Sequence, residues 1–225
     1  MKLPRPPHGW NVTPSRALAI QRQLAGRVVT TDDVARLRLV VGLDAAFSSD
    51  GQVCVAAGVL WDVEDRAVVE ERTACRRVYL PYIPGLLSFR EAPALLSVLR
   101  KFKIRPDILM CDGQGLAHPR GFGIACHMGI LTDLPVIGCA KSLLVGVHDA
   151  LDSHRGARQA LWFRDQRVGT VLRTRERVRP VYVSIGHRIS LSSAEELVLA
   201  CATRYRLPEP TRLADQLCGR VAHGA

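Results

Sequence analysis

Apolar positions along this chain change period from segment to segment, and each change marks an element. Over residues 15–29, Leu18, Leu24 and Val28 keep a helical spacing. Thr13-Pro14 precedes them, with Thr as the expected N-cap and Pro as the first helical residue. Three Val- and Ala-rich runs follow at 38–47, 52–61 and 67–79, parted by short polar links at 48–51 and 62–66. That pattern predicts an antiparallel three-strand meander. Pro81 and Pro84 then stop any strand. Over 86–102 the apolar stripe of Leu95, Leu96, Val98, Leu99 and Phe102 predicts a helix, with Pro93 early in it.

Beyond the meander the periods alternate. Short apolar strands are predicted at 107–111 and 136–140, with a helix over 121–131 between them. Strands follow at 160–163, 167–173 and 181–185, then a helix over 192–204 and a last helix over 210–219. Ser192 and Glu195 have the spacing of a capping box for the 192–204 helix. A meander followed by alternating helix and strand predicts an α/β fold: a mixed sheet with an antiparallel edge and a parallel portion, flanked by helices. In such sheets ligands collect beyond the carboxyl ends of the parallel strands. Residues 1–12 read as a flexible extension of a single domain spanning 1–225.

Composition narrows the function. The chain has 225 residues, 48% hydrophobic and 23% charged, which is the balance of an ordinary globular protein and excludes disordered and low-complexity classes. No apolar run reaches the roughly 20 residues that span a bilayer. The first ten residues hold Lys2, Arg5 and three prolines with no apolar stretch behind them, which is not a secretory signal. Seven cysteines, an odd number and none in a C-x-x-C pair, sit largely in apolar runs. They read as reduced core residues of a cytoplasmic protein, not as a zinc site or disulfide framework. The net charge of +10 suits a polyanion, because Lys and Arg displace counterions from phosphates. Charge alone leaves a nucleic-acid surface and a merely solvated basic surface equally open.

The candidate chemistry lies at strand ends. Asp44 sits in the apolar run Leu43-Asp44-Ala45, and Asp112 ends the run Leu109-Met110-Cys111. A carboxylate in such a setting is costly unless paired. Glu91 lies on the helix between them. Taken singly, Asp44 fits a turn cap and Glu91 a solvated helix residue. Together, two carboxylates on neighbouring strands and one on the intervening helix can converge on a hard divalent cation such as Mg²⁺. On a basic protein, that cluster points to metal-assisted phosphodiester hydrolysis. Asp215, on the last helix, joins the cluster if that helix folds back.

The stretch from Asp112 to Gly123 carries glycines at 113, 115, 121 and 123, with His118 and Arg120 available to a phosphate or a water. It matches neither a dinucleotide fingerprint nor a P-loop. Lys141 follows the 136–140 strand, where an ammonium can stabilise charge on a phosphate. Tyr79-Leu80-Pro81-Tyr82-Ile83-Pro84-Gly85 is a proline-stiffened aromatic loop, suited either to wedging into a base stack or to packing on the core. Arginine runs at 173–179 and 186–188 could track a phosphate backbone, or be solvated loops.

The ordered set of these motifs resembles the endonuclease V family. The set comprises Gly42-Leu43-Asp44, Pro81-Tyr82-Ile83-Pro84-Gly85, Phe89-Arg90-Glu91, Asp112-Gly113-Gln114-Gly115, Ala117-His118-Pro119-Arg120, Ile137-Gly138-Cys139-Ala140-Lys141-Ser142, Gly186-His187-Arg188 and Leu207-Pro208-Glu209-Pro210. The resemblance implies an RNase H-like fold. It implies Mg²⁺-dependent hydrolysis, with Mn²⁺ as a substitute, at the second phosphodiester 3′ to a deaminated base, chiefly hypoxanthine. The products would be a 3′-hydroxyl and a 5′-phosphate. By motif match Asp44, Glu91 and Asp112 would bind metal, with His118 and Lys141 assisting catalysis. Tyr82, flanked by Pro81, Ile83 and Pro84, would lead a wedge into the duplex. Gly85, Leu87, Gly113, Ile124 and Leu144 would surround the flipped base, and Arg120, Gly123 and Ser142 would complete the substrate contacts. The pattern departs at Ala45-Ala46, where Val-Ser is commoner, at Val147, where Glu is commoner, and at Asp215, which is His in some members.

The partner implied is DNA with deaminated bases, met by a monomer that touches no membrane. Phosphate and hypoxanthine are shared by DNA and RNA, so an inosine-directed ribonuclease stays open. So does a binding module without catalysis, although the retained carboxylates and Lys141 speak against it. A basic scaffold protein would require every carboxylate placement to be coincidence.

Overall fold

The computed structural model describes residues 1–33 and 36–223. The predicted meander is β1 (Leu39–Phe47), β2 (Val53–Asp62) and β3 (Ala67–Arg77), paired antiparallel. β4 (Ile108–Cys111) pairs parallel with β1 on one side and with β5 (Val136–Ala140) on the other. A second antiparallel set, β6 (Arg158–Phe163), β7 (Gln166–Leu172) and β8 (Val181–His187), docks by β8 against β5. The result is one sheet in the order β3-β2-β1-β4-β5-β8-β7-β6. The parallel portion is therefore confined to β1, β4 and β5. Alternation in the sequence does not reveal that β8 runs antiparallel to β5.

Helices cover both faces. α2 (Leu87–Lys101) and α3 (Ile124–Thr132) lie on one, α4 (Leu191–Cys201) and α5 (Glu209–His223) on the other. Successive residues of β1 point to opposite sides, as a pleated strand requires. Val41 and Leu43 pack with Leu95, Leu99, Phe102 and Met128, whereas Val40 packs with Met110, Ile137, Val198 and Cys201. This two-sided burial is why β4 is apolar without alternation. Gly42 is where α5 meets the sheet: a Cβ there would lie 2.1 Å from the Pro210 carbonyl carbon. Only glycine lets the start of α5 come that close to β1.

Several element ends differ from the sequence expectation. α1 (Pro14–Ala25) is capped by Thr13 as predicted, but it ends before Val29, whose N–H instead bonds His187 Nδ1 at 3.2 Å. α3 begins at Ile124 rather than at residue 121, because Gly121 has a φ of +59°. The N-cap of α4 is Ser190, not Ser192, and Glu195 forms no capping box. Its carboxylate turns inward to Thr170, Arg158 and Arg167. Residues 1–12 have no helix or strand, yet they carry contacts that a free extension lacks. The Met1 ammonium donates to the Phe102 carbonyl at 2.6 Å, and His8 Nε2 lies 2.8 Å from His127 Nε2.

Candidate active site

The parallel strands place the carboxylates. Leu43 of β1 sits beside Cys111 of β4, so the next residues, Asp44 and Asp112, emerge side by side at the same end. The Asp112 N–H is tied to the Leu43 carbonyl at 3.0 Å. α5 folds back over β1 and adds Asp215, and one oxygen from each of the three carboxylates lies within 4.8 Å of the others. Lys141, just past β5, points into the same space. Its Nζ is 2.6 Å from Asp112, 3.0 Å from Asp215 and 3.9 Å from Asp44.

Electrostatics follow from that crowding. Burial, then the charge of Asp112, push the Asp44 carboxyl up to about 9. Burial also raises Asp112, against the hydrogen bond from Lys141. Burial would raise the more open Asp215 as well, but hydrogen bonds involving Lys141 and Asp44 hold it low. Burial works against the Lys141 ammonium, yet its carboxylate partners hold its proton more tightly than in a free lysine. Three carboxylates thus share one ammonium, and negative charge is left over. A divalent cation fits such an all-oxygen donor set, and Asp44, Asp112 and Asp215 are the residues that can hold it.

Glu91 lies outside this closest trio. It is buried on α2, and burial followed by the charge of Asp112 pushes its carboxyl up to about 8. Of the predicted set Asp44, Glu91 and Asp112, the structure brings the two strand aspartates together and puts Asp215 beside them. Glu91 is near enough for the charge of Asp112 to raise its carboxyl.

A cavity of about 330 Å³ opens next to the carboxylates, with Asp112 and Lys141 in its wall. Tyr82, Gly85, Leu87, Gly113, Ile124 and Leu144 line it, as do His118, Gly123 and Ser142. Pro81, Ile83 and Pro84 do not. Tyr82 is 67% exposed at the rim, whereas Ile83 packs inward beside Leu80 and Leu86.

The loop at Gly85 is held by its own backbone. Gly85 has a φ of +78°, and a Cβ there would lie 2.4 Å from Arg120 Nη2. Its carbonyl accepts from Arg120 Nη2 at 2.6 Å and Gln21 Nε2 at 2.9 Å, and His118 Nε2 lies 3.1 Å away. His118 Nδ1 accepts from the Arg120 N–H, which leaves Nε2 as the protonated nitrogen. Burial, with Arg120 next, pushes this imidazole down to about 4, so it is a neutral positioning group. His118 and Arg120 therefore pin the rim of the cavity and do not touch the carboxylates.

Sequence reasoning missed Gln21, which bridges Gly85, Phe122 and Arg120. The available signal was a polar residue at the buried helical positions 17, 20, 21 and 24 of α1. It also missed Arg90, whose guanidinium stacks 4.3 Å over Phe47 and 5.8 Å from the Tyr82 ring. The arginine runs divide. Arg188 is a structural staple to Asp33 and Asp133, and Arg173 donates to the carbonyls of Leu151, Asp152 and Val178. Arg175, Arg177 and Arg179 remain exposed.

Comparison with known proteins agrees with this architecture. A family model described as Endonuclease V matches residues 22–216. The chain is 52% identical over 221 residues to the Endonuclease V of Azotobacter vinelandii, covering 98% of this chain and 100% of that one. Its structure is similar to the crystal structure of Endonuclease V from Streptomyces avermitilis (TM-score 0.91, 42% identity, 96% of this chain and 95% of that chain). It shares the fold of Ciona intestinalis Endonuclease V in complex with a 24mer DNA containing an inosine followed by a ribo-adenosine (TM-score 0.81, 24% identity, 92% of this chain and 96% of that chain). Among the described residues, no helix is long and apolar enough to cross a membrane. With a family match over most of its length and an acidic cluster able to hold a metal, this chain belongs to the Endonuclease V family and is a nuclease.

Proposed function

We propose that this protein nicks DNA at the second phosphodiester bond 3′ to a deaminated base, chiefly deoxyinosine, leaving a 3′-hydroxyl and a 5′-phosphate. We further propose Mg²⁺ as the ion, with Mn²⁺ able to replace it, and action as a monomer in the cytoplasm. The observation that carries the reading is the cavity beside the carboxylates: a base-binding space and a hydrolytic centre share the walls formed by Asp112 and Lys141. The Ciona relative was crystallised with DNA containing an inosine, and the same lesion class suits this cavity.

Asp44, Glu91 and Asp112 would hold the ion, joined by Asp215 from α5. Bound there, a divalent ion would supply Lewis-acid polarisation of the phosphate and a more acidic water. Lys141 brings a fixed positive charge to the edge of the same space, where charge develops on the scissile phosphate. Tyr82 stands at the rim, placed to fill the gap that an extruded base leaves. The Gly85 and Gly113 backbones, with Leu87, Ile124 and Leu144, receive the base, while Gly123, Ser142, His118 and Arg120 hold the walls in place. Hypoxanthine offers a keto group and an N1–H where adenine offers an amine, so a rigid backbone-lined pocket rejects adenine by leaving its polar groups unpaired. Extrusion costs least for a base that is already mispaired.

Single-turnover cleavage of end-labelled DNA carrying one deoxyinosine, with Mg²⁺ and with EDTA, tests the proposal beside an inosine RNA of the same sequence. A metal-dependent nick one nucleotide beyond the lesion is the expected result. Cleavage confined to the RNA would move the substrate from DNA to RNA, and binding without cleavage of either would remove the hydrolytic assignment.

A further inference from the structure

A second cavity, of about 610 Å³, lies across the 118–121 loop from the carboxylates. Arg22 of α1, His118 and Arg120 of the loop, and Phe163, Arg164 and Gln166 of the β6–β7 hairpin line it. No Asp or Glu is among its lining residues. Arg22 and Arg164 are exposed, and among the described residues neither has an ion pair. Arg120 is held only by neutral groups, Gln21 Oε1 at 2.6 Å and the Gly85 carbonyl. Burial, with the charge of Arg22 next, weakens its hold on its proton. Guanidinium groups drawn together without a counter-charge call for an anion.

The hairpin supplies an independent observation. Phe163 pairs with Gln166, so Arg164 and Asp165 form a two-residue turn with φ of +51° and +61°. Such turns favour Asn or Gly, and an arginine in the left-handed region is strained. The turn carries the Arg164 guanidinium at the cavity rim, 4.9 Å over the Phe163 ring. The two cavities are also continuous in their walls, because His118 lines both.

We propose that Arg22, Arg120 and Arg164 form a backbone-phosphate subsite for the substrate nucleic acid, holding phosphates beyond the reacting one while the base occupies the smaller cavity. This rests on the nucleic-acid reading above. The subsite grips without reading sequence, so its contribution is the same for damaged and undamaged strands. Phosphate contacts also make binding salt-dependent, with log K falling by about 0.7–0.9 per phosphate for each decade of salt.

The test is the salt dependence of binding to deoxyinosine DNA and to the undamaged sequence, with single-turnover cleavage measured alongside. For R22Q/R164Q the expected result is roughly tenfold weaker binding to both DNAs and a salt slope shallower by about 1.5. The cleavage rate at saturating DNA should stay within about twofold, since substrate grip away from the reacting bond acts on binding. Trimming the DNA to the few nucleotides around the lesion should erase the difference from the parent. Arg164→Gly separates function from folding: it should raise the melting temperature by a few degrees by relieving the turn, and still weaken binding. An unchanged slope in well-folded R22Q/R164Q, with parent cleavage intact, overturns the subsite alone. An arginine-dependent slope in a parent that does not cut deoxyinosine keeps the subsite and overturns the function above.

Discussion

Two clusters built around buried acidic side chains follow opposite principles. Beyond the carboxyl end of β4 and beside the later half of β1, three carboxylates share the single ammonium of Lys141. At the other end of the sheet one carboxylate, Glu195, is shared by three donors. Arg158 Nη1 lies 3.1 Å from it, Arg167 Nη2 3.2 Å and Thr170 Oγ1 2.5 Å. Both clusters are cut off from water on at least one side. The first leaves negative charge uncompensated, and its strand carboxyls respond by gripping protons. The second is satisfied by the protein alone. A buried acid is therefore not a site in itself; a surplus of charge that the fold declines to neutralise is what calls for an external cation.

That contrast predicts opposite outcomes for the same kind of substitution. Asp112→Asn should lower the single-turnover rate on the order of 10³-fold, because it removes a ligand and the partner of Lys141. The same change should raise the melting temperature in EDTA by a few degrees, because one member of a like-charge cluster is gone. Glu195→Gln should do the reverse. Cleavage should stay within about twofold, while stability falls by about 1–3 kcal/mol as two arginines and a threonine lose a charged acceptor. Thermal unfolding and cleavage measured on both proteins decide the matter. Undiminished cleavage by Asp112→Asn would falsify the metal assignment. Loss of cleavage by a folded Glu195→Gln would erase the distinction between the two clusters.

The same distinction explains what the sequence could disclose. Asp112 and Lys141 were legible because each ends an apolar run, and Asp44 because it interrupts one; parallel pairing of β1 with β4 then sets Asp44 and Asp112 side by side. The residues around the smaller cavity were legible only through the family resemblance, since nothing in Leu87 or Ile124 alone points to a ligand. Asp215 entered as a conditional member, because its position depends on how α5 returns over Gly42. Glu195 was misread as a capping residue. Its local spacing from Ser192 is correct for a capping box, and the arginines that claim it lie on β6 and β7, far away in sequence. Gln21 and the hairpin arginine Arg164 belong to the same class: their roles come from long-range contacts that periodicity does not encode. The helices α1 and α2 were readable because burial on one face imposes a period that the chain displays directly, and the meander because short polar links bound its Val- and Ala-rich runs.

A third buried cluster, neutral rather than charged, gives the smallest and sharpest test. His8 Nε2 meets His127 Nε2 at 2.8 Å, and His127 Nδ1 lies 3.0 Å from Ser88 Oγ, beneath Trp10 and Phe89. Burial, with His8 next, pushes His127 down from its ordinary 6.5 to about 3. The folded value is below the unfolded one, so the unfolded chain binds the extra proton. The stability contributed by neutral His127 is then fully present above pH 6.5 and is lost as the pH falls towards about 3. One such group steepens the loss by at most about 1.4 kcal/mol per pH unit. Urea unfolding at pH 7.5 and pH 5 should show the parent losing more stability than His127→Gln, whatever the variant's stability at pH 7.5. Equal losses would mean that the folded imidazole takes up its proton over the same range as the unfolded one and is charged at pH 5. The histidine pair would then be a charged cluster without a counter-ion, and surplus charge would no longer separate the active centre from the rest of the core.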